Sequence, residues 1–389
     1  MRLVPQLDFG FTPRLAALYA AFFIVAGISQ PFLPIWMSAK GLDPATIGVV
    51  LAVPMLLRIL IIPIATRQAD RRDSLRGAIV VAACFCVVGY LLMGLAEGAA
   101  QILIAYGLAS LAFTPLMPLA ETYAFKGLTA RGRAYGPVRL WGSVAFILGN
   151  LAAGIAADII PARHIIWMLV VTSVGTVLAA FALQPISTAA PAASEPAKPR
   201  RSLLRDPAFI AVLAAASLIQ ASHAVFYGFA AVDWRSAGLD GTTIAALWAL
   251  GVAAEIVLFA VSGRLPPFFQ PTMLLIVGAL GATLRWVGMA LDPQVAALPW
   301  LQMLHALSFG ATHLGAIGFV ARHAPAGQSA TAQGYLAIAT GVAMAGAMGI
   351  SGVLYEAFGN LAYAAMALGA VAGGACALLA HRARGQAAP

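Results

Sequence analysis

Eight ionisable side chains interrupt stretches of this sequence that are otherwise apolar. A charge among hydrocarbon groups is costly, so each such residue is a candidate for solute binding or proton transfer. The alternative is structural: a long side chain reaches the nearest polar boundary, or a charged pair fixes how two helices pack. The eight residues are Arg58, Glu121, Arg139, His223, Glu255, Arg285, His305 and His313.

Two pairs of these residues are predicted to be neighbours from their depth in the apolar stretches. Glu121 lies near the end of one apolar stretch, and Arg139 lies near the start of the next. The two residues are therefore expected at a similar depth, where they can pair. Both lie near the end of a stretch, where the structural alternative is strongest. Arg285 lies about 9 Å from one end of its stretch and His305 about 12 Å into the next, at 1.5 Å per residue. These matching depths predict that Arg285 and His305 meet.

The balance of buried charge points to an anionic solute and to a proton carrier. Three arginines, Arg58, Arg139 and Arg285, face two acids, Glu121 and Glu255, which leaves one positive charge without a partner. Arg58 lies near mid-stretch, and its guanidinium offers two parallel N–H donors that fit a carboxylate, so it is the predicted counter-ion. Glu255 is the acid that lies deepest in its apolar stretch. An apolar environment favours the neutral, protonated form of a carboxyl group, so Glu255 is the predicted proton carrier.

Two stripes of polar side chains at helical spacing are candidates for a cavity lining. One carries Ser217, Gln220, His223 and Tyr227, and the other carries His305, Ser308 and Thr312. The alternative for both is hydrogen bonding within the packed protein. The aromatic side chains of Tyr19, Phe22 and Phe23 could likewise stack on an aromatic solute or simply pack.

Helices that cross a membrane must position these residues. The chain has 389 residues, of which 61% are hydrophobic and 10% charged, with a mean hydropathy of +0.90. A soluble domain carries roughly 25% charged residues. The composition therefore excludes a water-soluble enzyme, a nucleic-acid-binding protein and a disordered scaffold.

Twelve apolar runs are long enough to span a bilayer as helices, and the fold is predicted to be all-α. They form two groups of six, giving an N-terminal half at 1–184, a linker at 185–206 and a C-terminal half at 207–389. The linker has four prolines and a basic cluster, typical of a cytoplasmic connection rather than a folded domain. The predicted spans are 14–37, 44–66, 76–96, 99–125, 136–160, 163–184, 207–232, 242–264, 271–291, 297–320, 328–354 and 359–381.

The basic residues predict the orientation of the chain. With the N-terminus in the cytoplasm, 18 of the 23 Lys and Arg residues fall on the cytoplasmic side, and only Lys40, Arg163 and Arg235 fall outside. This asymmetry explains the net charge of +9 and predicts an inner-membrane protein with both termini in the cytoplasm. The opening residues lack the features of a cleaved secretory signal, so the first run is expected to remain as a span.

Other chemistries lack the residues that they need. Cys84, Cys86 and Cys376 all lie in apolar runs, which argues against a disulfide framework and against a metal site. The glycine-rich run at 346–352 is a helix-packing seam, and the sequence has no phosphate-binding loop or hydrolase constellation. We expect neither an enzyme nor a cofactor.

Several motifs resemble those of the major facilitator superfamily. Pro31-Phe32-Leu33-Pro34-Ile35-Trp36, the run from Arg139 to Val144 and Tyr355-Glu356 are similar to the lactose permease branch. Closer still is the phenylpropionic acid permease family, through Tyr135-Gly136 with the run from Arg139 to Phe146, Ser222-His223 with Tyr227, the run from Gly251 to Glu255, and Arg285-Trp286. The loop near Asp70-Arg71 departs from the superfamily pattern, since Thr66 and Asp73 stand at the expected glycine positions.

The resemblance implies roles for individual residues. In the lactose permease branch, residues that match Glu121 and Arg139 hold substrate, and an aromatic residue that matches Phe146 stacks on it. Residues like Arg285 and His305 belong there to the proton-coupling network. The proton-carrying carboxylate of that branch is replaced here by Ser308, so either Glu255 carries the proton or coupling differs.

These observations together predict a secondary transporter that carries an aromatic carboxylate, such as phenylpropionate, with protons. Substrate contacts are assigned to Arg58, Glu121, Arg139, Phe146, His223 and Tyr227, and proton coupling to Glu255, Arg285 and His305. The expected partners are a small organic solute, protons and the lipid bilayer, with the monomer as the functional unit. A sugar or nucleoside proton symporter, an exporter of small molecules and a transporter-like receptor are the alternatives.

Overall fold

A computed structural model describes residues 10–71, 74–186, 203–324 and 328–385. These residues are predominantly helical, and no strand occurs among them, which confirms the all-α prediction. Most of the predicted linker, residues 187–202, lies outside the described residues.

Fifteen α-helices are present in the described parts of the chain. In chain order they are α1 Phe11–Ala39, α2 Pro44–Arg71, α3 Leu75–Leu95, α4 Ala99–Phe113, α5 Leu116–Thr129, α6 Gly136–Ile159, α7 Ile166–Ala182, α8 Pro207–Ala221, α9 Ala224–Ser236, α10 Gly241–Val261, α11 Pro271–Ala290, α12 Leu298–Met303, α13 Thr312–His323, α14 Ser329–Phe358 and α15 Ala362–Gly385.

The twelve predicted spans are confirmed with small differences at their ends. Eleven described segments are long and apolar enough to cross a membrane, and the last, Thr331–Ala383, contains both α14 and α15. Large apolar side chains such as Leu60, Phe85 and Leu178 are about two-thirds exposed on the protein surface. Exposed apolar side chains of this number suit a surface that faces lipid.

Three spans are interrupted helices. The fourth span comprises α4 and α5, which meet at Thr114 and Pro115, where proline has no N–H to continue the helical ladder. The seventh comprises α8 and α9, which meet at Ser222 and His223. The tenth comprises α12, a π-helix at Ala306–Ala311 and α13. A π-helical turn holds one more residue than an α-turn and often occurs at functional sites.

The first compact unit is built from Met1–Leu42, Leu57–Ala190 and Asp240–Ala245. Helix α1 packs tightly on α6, because a Cβ on Gly149 would lie only 2.7 Å from the Ile24 carbonyl oxygen. The Tyr123 hydroxyl donates to the Gln184 carbonyl oxygen at 2.7 Å, and its ring stacks on Phe11 at 5.2 Å. This unit positions Glu121, Arg139 and Phe146.

The second compact unit is built from Asp43–Leu56, Pro191–Leu239 and Ala246–Pro389. Its core includes Val212, Leu275, Phe319 and Ala377 from α8, α11, α13 and α15. A Cβ on Gly315 would lie 2.6 Å from the Pro271 carbonyl oxygen, so α11 and α13 are in close contact. This unit positions His223, Glu255, Arg285 and His305.

Candidate functional site

Arg285 is the centre of a buried polar cluster in the second unit. Helix α11 carries it, and its side chain has no exposed surface. Its Nη2 donates to Gln302 Oε1 at 2.6 Å, and its Nη1 donates to His305 Nδ1 at 3.1 Å and to Ser308 Oγ at 3.4 Å. All three of these partners are uncharged when His305 is neutral, so none of them offsets the positive charge of Arg285.

His305 links Arg285 to Glu255. Because an arginine can only donate, the His305 Nδ1 that faces Arg285 must be the acceptor and carries no proton. The ring proton of the neutral imidazole is therefore on Nε2, which lies 3.4 Å from Glu255 Oε2. Arg285 therefore donates a hydrogen bond to His305, and the protonated Nε2 of His305 lies in close polar contact with the carboxylate.

A second branch of the cluster runs through His223. His223 Nδ1 lies 3.1 Å from the Ile219 carbonyl oxygen and must donate to it, so Nε2 accepts from Ser308 Oγ at 3.1 Å. Ser308 in turn accepts from Arg285 Nη1. His223, predicted for substrate contact, and Arg285 and His305, predicted for proton coupling, therefore belong to one hydrogen-bonded network.

Aromatic rings surround the cluster. The Arg285 guanidinium lies 4.2 Å from the Phe226 ring centroid and 4.7 Å from that of Trp286, distances at which a cation is attracted to the ring face. Trp286 Nε1 donates to Ser222 Oγ at 2.8 Å. Further rings within 6.3 Å of one of these rings or of His223 belong to Tyr227, Trp248, Phe309 and Tyr363.

The interruptions in the seventh and tenth spans position these side chains. His223 lies at the junction of α8 and α9, and His305 immediately precedes the π-helix. Gly310, within the π-helix, packs against Glu255, and a Cβ there would lie 3.4 Å from Glu255 Cγ. The π-helical segment therefore lets α10 bring its carboxylate close to His305.

The predicted polar stripes are largely enclosed by protein. Ser217, Gln220 and His223 are all buried, and of the first stripe only Tyr227 is partly exposed. In the second stripe, Thr312 Oγ1 donates to the Ser308 carbonyl oxygen at 2.8 Å. Ser308 and Thr312 thus form hydrogen bonds within the packed protein, as the alternative to a cavity lining predicted.

A separate polar site lies in the first unit. The Tyr135 hydroxyl donates to Glu121 Oε1 at 3.3 Å, and the Arg139 guanidinium lies 4.2 Å from the Phe23 ring centroid and 5.8 Å from that of Tyr19. Burial raises the pKa of the Tyr135 hydroxyl, which keeps it a donor at neutral pH. Among the described residues Glu121 and Arg139 share no direct ion pair, so the expected pairing is replaced by contacts with tyrosines and a phenylalanine.

The remaining predicted residues have simpler surroundings. Phe146 is 9% exposed on α6, two turns from Arg139. Arg58 is half-buried on α2, and no hydrogen bond or ion pair connects it to the described parts of the chain. His313 stacks on Phe309 at 6.0 Å.

Gln302 is a member of the cluster that the sequence reasoning missed. It is fully buried on α12, and among the described residues its Nε2 has no hydrogen-bond partner, nor has Arg285 Nε. The search for ionisable residues in apolar stretches passed over a neutral amide. A search for any strongly polar side chain at the depth of Arg285 would have found it.

Comparisons with known proteins agree with this architecture. Residues 13–365 match the family model described as the MFS_1 like family. The chain is 32% identical over 372 residues to the probable 3-phenylpropionic acid transporter of Escherichia coli (strain K12), covering 92% of this chain and 94% of that protein. It is 24% identical over 340 residues to the maltose permease of Geobacillus stearothermophilus, covering 83% and 82% of the two chains.

Solved structures share the fold. A mutant of the nucleoside transporter NupG superposes with a TM-score of 0.82 at 16% identity, covering 96% of this chain and 99% of that one. A bacterial homologue of the human lysosomal transporter Spinster, in an inward-facing and occupied conformation, gives a TM-score of 0.76 at 18% identity, covering 95% and 96%.

Proposed function

Because the chain belongs to the MFS_1 like family of membrane transporters, as its resemblance to the major facilitator superfamily predicted, we propose that it carries an aromatic carboxylate together with protons. Transport proceeds by alternating access, with halves at 1–184 and 207–389 moving about a central site. The protein resides in the inner membrane as a monomer, with both termini and the linker at 185–206 in the cytoplasm.

The observation that carries this proposal is the buried charge of Arg285 and its link to Glu255. With Glu255 ionised and both histidines neutral, the cluster has no net charge. A proton on Glu255 leaves a net charge of +1 inside a low-dielectric region, where charges act over longer distances than in water. The added positive charge attracts an anionic solute, whose carboxylate Arg58 would hold, so protonation and carboxylate binding favour each other.

In this mechanism one proton and one carboxylate enter together, so the loaded protein carries the same net charge as the empty protein when it changes conformation. Linkage requires that the solute favour proton uptake by the same factor as the proton favours solute binding. Glu255 is the proton carrier in this mechanism, His305 transmits its charge state, and Arg285 supplies the fixed positive charge. Ser308, which cannot ionise, acts only as a hydrogen-bond relay between Arg285 and His223.

Two observations support an aromatic carboxylate as the solute. Aromatic rings surround the charged cluster in the second unit, and Tyr19 and Phe23 accompany Arg139 in the first. The Escherichia coli relative is named a probable 3-phenylpropionic acid transporter. We assign solute contact to Arg58, Glu121, Arg139, Phe146, His223 and Tyr227, with Arg58 as the counter-ion of the carboxylate.

Uptake into proteoliposomes tests the proposal. With purified protein and an imposed pH gradient, acidic outside, labelled 3-phenylpropionate should accumulate, and a protonophore should abolish the accumulation. The neutral amide of the same acid, maltose and a nucleoside serve as comparison solutes. Accumulation of maltose or the nucleoside without accumulation of the acid would instead identify a symporter of neutral solutes.

A further inference from the structure

An apolar groove runs beside helix α3 in the first unit. It has a volume of about 570 Å³ and is lined by the last turns of α2 and by residues of α3, α4 and α5. Of its lining side chains only those of Gln68 and Ser74 are polar, and both lie at one end, where α2 ends and α3 begins. The groove is therefore apolar along its length and polar at a single end.

The groove is long enough and open enough to take a hydrocarbon chain. The α3 residues that line it extend from Gly77 to Leu92, about 22 Å at 1.5 Å per residue, which is shorter than a hydrocarbon core about 30 Å thick. Val81, Phe85 and Val88 line it and are about half to two-thirds exposed, so it opens on the surface of the unit. An acyl chain can therefore enter it from the membrane and cover apolar side chains.

A second pocket adjoins the polar end of the groove. It has a volume of about 300 Å³ and lies between the start of α3 and the end of α7, with Arg76 on one side and Phe181 on the other. Ser74 and Gly77 line both the groove and this pocket. The two cavities are therefore contiguous, and the arginine lies next to the point where they meet.

Arg76 has hydrogen-bond donors that the protein leaves unused. A guanidinium carries five N–H groups and cannot accept. The Nη2 of Arg76 donates to the Phe181 carbonyl oxygen at 2.8 Å, whereas its Nε is buried and has no hydrogen-bond partner among the described residues. A phosphate oxygen in the pocket would accept from this guanidinium and offset its charge at the same time.

Two further arginines reach the same end of α7. Arg14 Nη1 donates to the Ala182 carbonyl oxygen at 3.2 Å, and Arg131 Nη2 donates to Gln184 Oε1 at 3.4 Å. The dipole at the end of α7 offsets only about half an elementary charge. Neither Arg14 nor Arg76 has an acidic partner in the described part of the chain, so these two residues alone leave this end of the unit positive.

One class of ligand fits both cavities at once. The groove suits an apolar chain, the adjoining pocket suits an anion, and an anionic phospholipid carries its phosphate beside its acyl chains. The basic residues predict that this end of the unit faces the cytoplasm, where anionic headgroups attract cationic side chains. Basic pockets between membrane helices on that side are known to hold such headgroups.

We propose that the groove and the pocket form one binding site for an anionic phospholipid, whose acyl chain fills the groove and whose phosphate binds Arg76. A bound lipid covers the exposed apolar side chains of α3 and supplies the acceptor that the buried Nε lacks. The site lies entirely within the first unit and does not depend on which solute the protein carries.

Fluorescence quenching by brominated lipid tests where the acyl chain lies. In a background in which alanine replaces Cys84, Cys86 and Cys376, a bimane is attached to Val81→Cys in the groove or to Val174→Cys on α7, outside the lining of both cavities. Both positions are about half exposed. They lie about 9 and 12 Å from the ends of their helices, at 1.5 Å per residue.

The protein is reconstituted in phosphatidylcholine, and a tenth of the lipid is phosphatidylglycerol with brominated acyl chains. Quenching at Val81→Cys should exceed that at Val174→Cys by about fivefold, because a tenfold preference, typical of one hydrogen bond to a charged group, half fills the site. Brominated phosphatidylcholine at the same fraction should quench the two positions equally. Equal quenching by the brominated phosphatidylglycerol in otherwise unaltered protein would overturn the proposal.

Arg76→Gln tests the role of the phosphate. It should bring the ratio for brominated phosphatidylglycerol close to one, while Arg322→Gln, which removes an exposed arginine of α13, should leave the ratio unchanged. A ratio that Arg76→Gln does not lower would overturn the proposal, as would an equal excess of quenching with both brominated lipids, which would show a groove without headgroup recognition. Loss of the excess on adding inorganic phosphate would identify a site for a soluble anion and would also overturn it.

Discussion

The Nε2 of His305 lies 3.4 Å from Glu255 Oε2. In the proposed mechanism, this contact makes Glu255 the point at which a proton changes the charge of the network. Arg285 itself cannot lose its charge, because a guanidinium remains protonated in proteins.

The first prediction concerns Glu255. Glu255→Gln fixes the neutral form of the side chain, so it should abolish uphill accumulation of 3-phenylpropionate while exchange of labelled for unlabelled acid continues. Both rates are measured in proteoliposomes, with accumulation driven by a pH gradient. Normal accumulation by this variant would assign the proton to another group, and His305 would then be the next residue to test.

The second prediction uses Gln302, whose Oε1 lies 2.6 Å from Arg285 Nη2. Gln302→Glu places a carboxylate at this position and neutralises Arg285 within the cluster. Affinity for the aromatic acid should fall by about tenfold, because the added negative charge cancels the positive charge of Arg285 that attracts an anionic solute in a low-dielectric region. Binding is measured by thermal shift at several ligand concentrations. Gln302→Leu, which removes the hydrogen bond without adding charge, is the control and should weaken acid binding less.

Arg58 gives the third prediction. Arg58→Lys should weaken binding of the aromatic acid, and Arg58→Gln should nearly abolish it, because lysine lacks the paired donors of a guanidinium. Binding of the uncharged amide of the same solute should change little in either variant. Equal losses for acid and amide would assign Arg58 to packing or gating.

The fourth prediction concerns the contact between α1 and α6. A Cβ on Gly27 would collide with the carbonyl group of Phe146, and the backbone of α6 has little room to move. Gly27→Ala should destabilise the protein by about 1–3 kcal/mol, the range for overpacking. Gly175→Ala is the control, since nothing lies within 4 Å of its added Cβ. Thermal unfolding in detergent should separate the two variants, and equal stability would contradict the tight packing of α1 on α6.

The fifth prediction tests the orientation of the chain. Ser194→Cys, in the background without native cysteines, should react in intact cells with a membrane-permeant maleimide and not with an impermeant one. The reason is the concentration of basic residues on the cytoplasmic side. Complete labelling by the impermeant reagent would reverse the proposed topology.

The spans were predictable because the bilayer imposes a simple rule on length and polarity. A helix of about 20 apolar residues crosses the hydrocarbon core, and such runs are visible in the sequence. The contact between Arg285 and His305 was predictable for a related reason, since two residues at equal depth on neighbouring helices can meet.

Other features of the site left no such trace in the sequence. Glu121 and Arg139 were predicted to pair because they lie at similar depth, but the Tyr135 hydroxyl donates to the Glu121 carboxylate and the Phe23 ring lies against the Arg139 guanidinium. Depth fixes the position of a side chain along the membrane normal and not its direction around the helix. Direction depends on helix rotation, which packing determines.

The π-helix at Ala306–Ala311 has an evolutionary consequence. Such a segment is equivalent to one residue inserted into an α-helix, and an α-helix turns by about 100° per residue. Deletion of one residue from this segment would restore the regular helix and rotate His305 relative to Thr312 by that angle. A gene that lost one codon here would keep its tenth span and its fold, yet the imidazole would no longer stand between Arg285 and Glu255. Under the proposed coupling, relatives that differ in this way would share the scaffold and differ in whether a proton accompanies the solute.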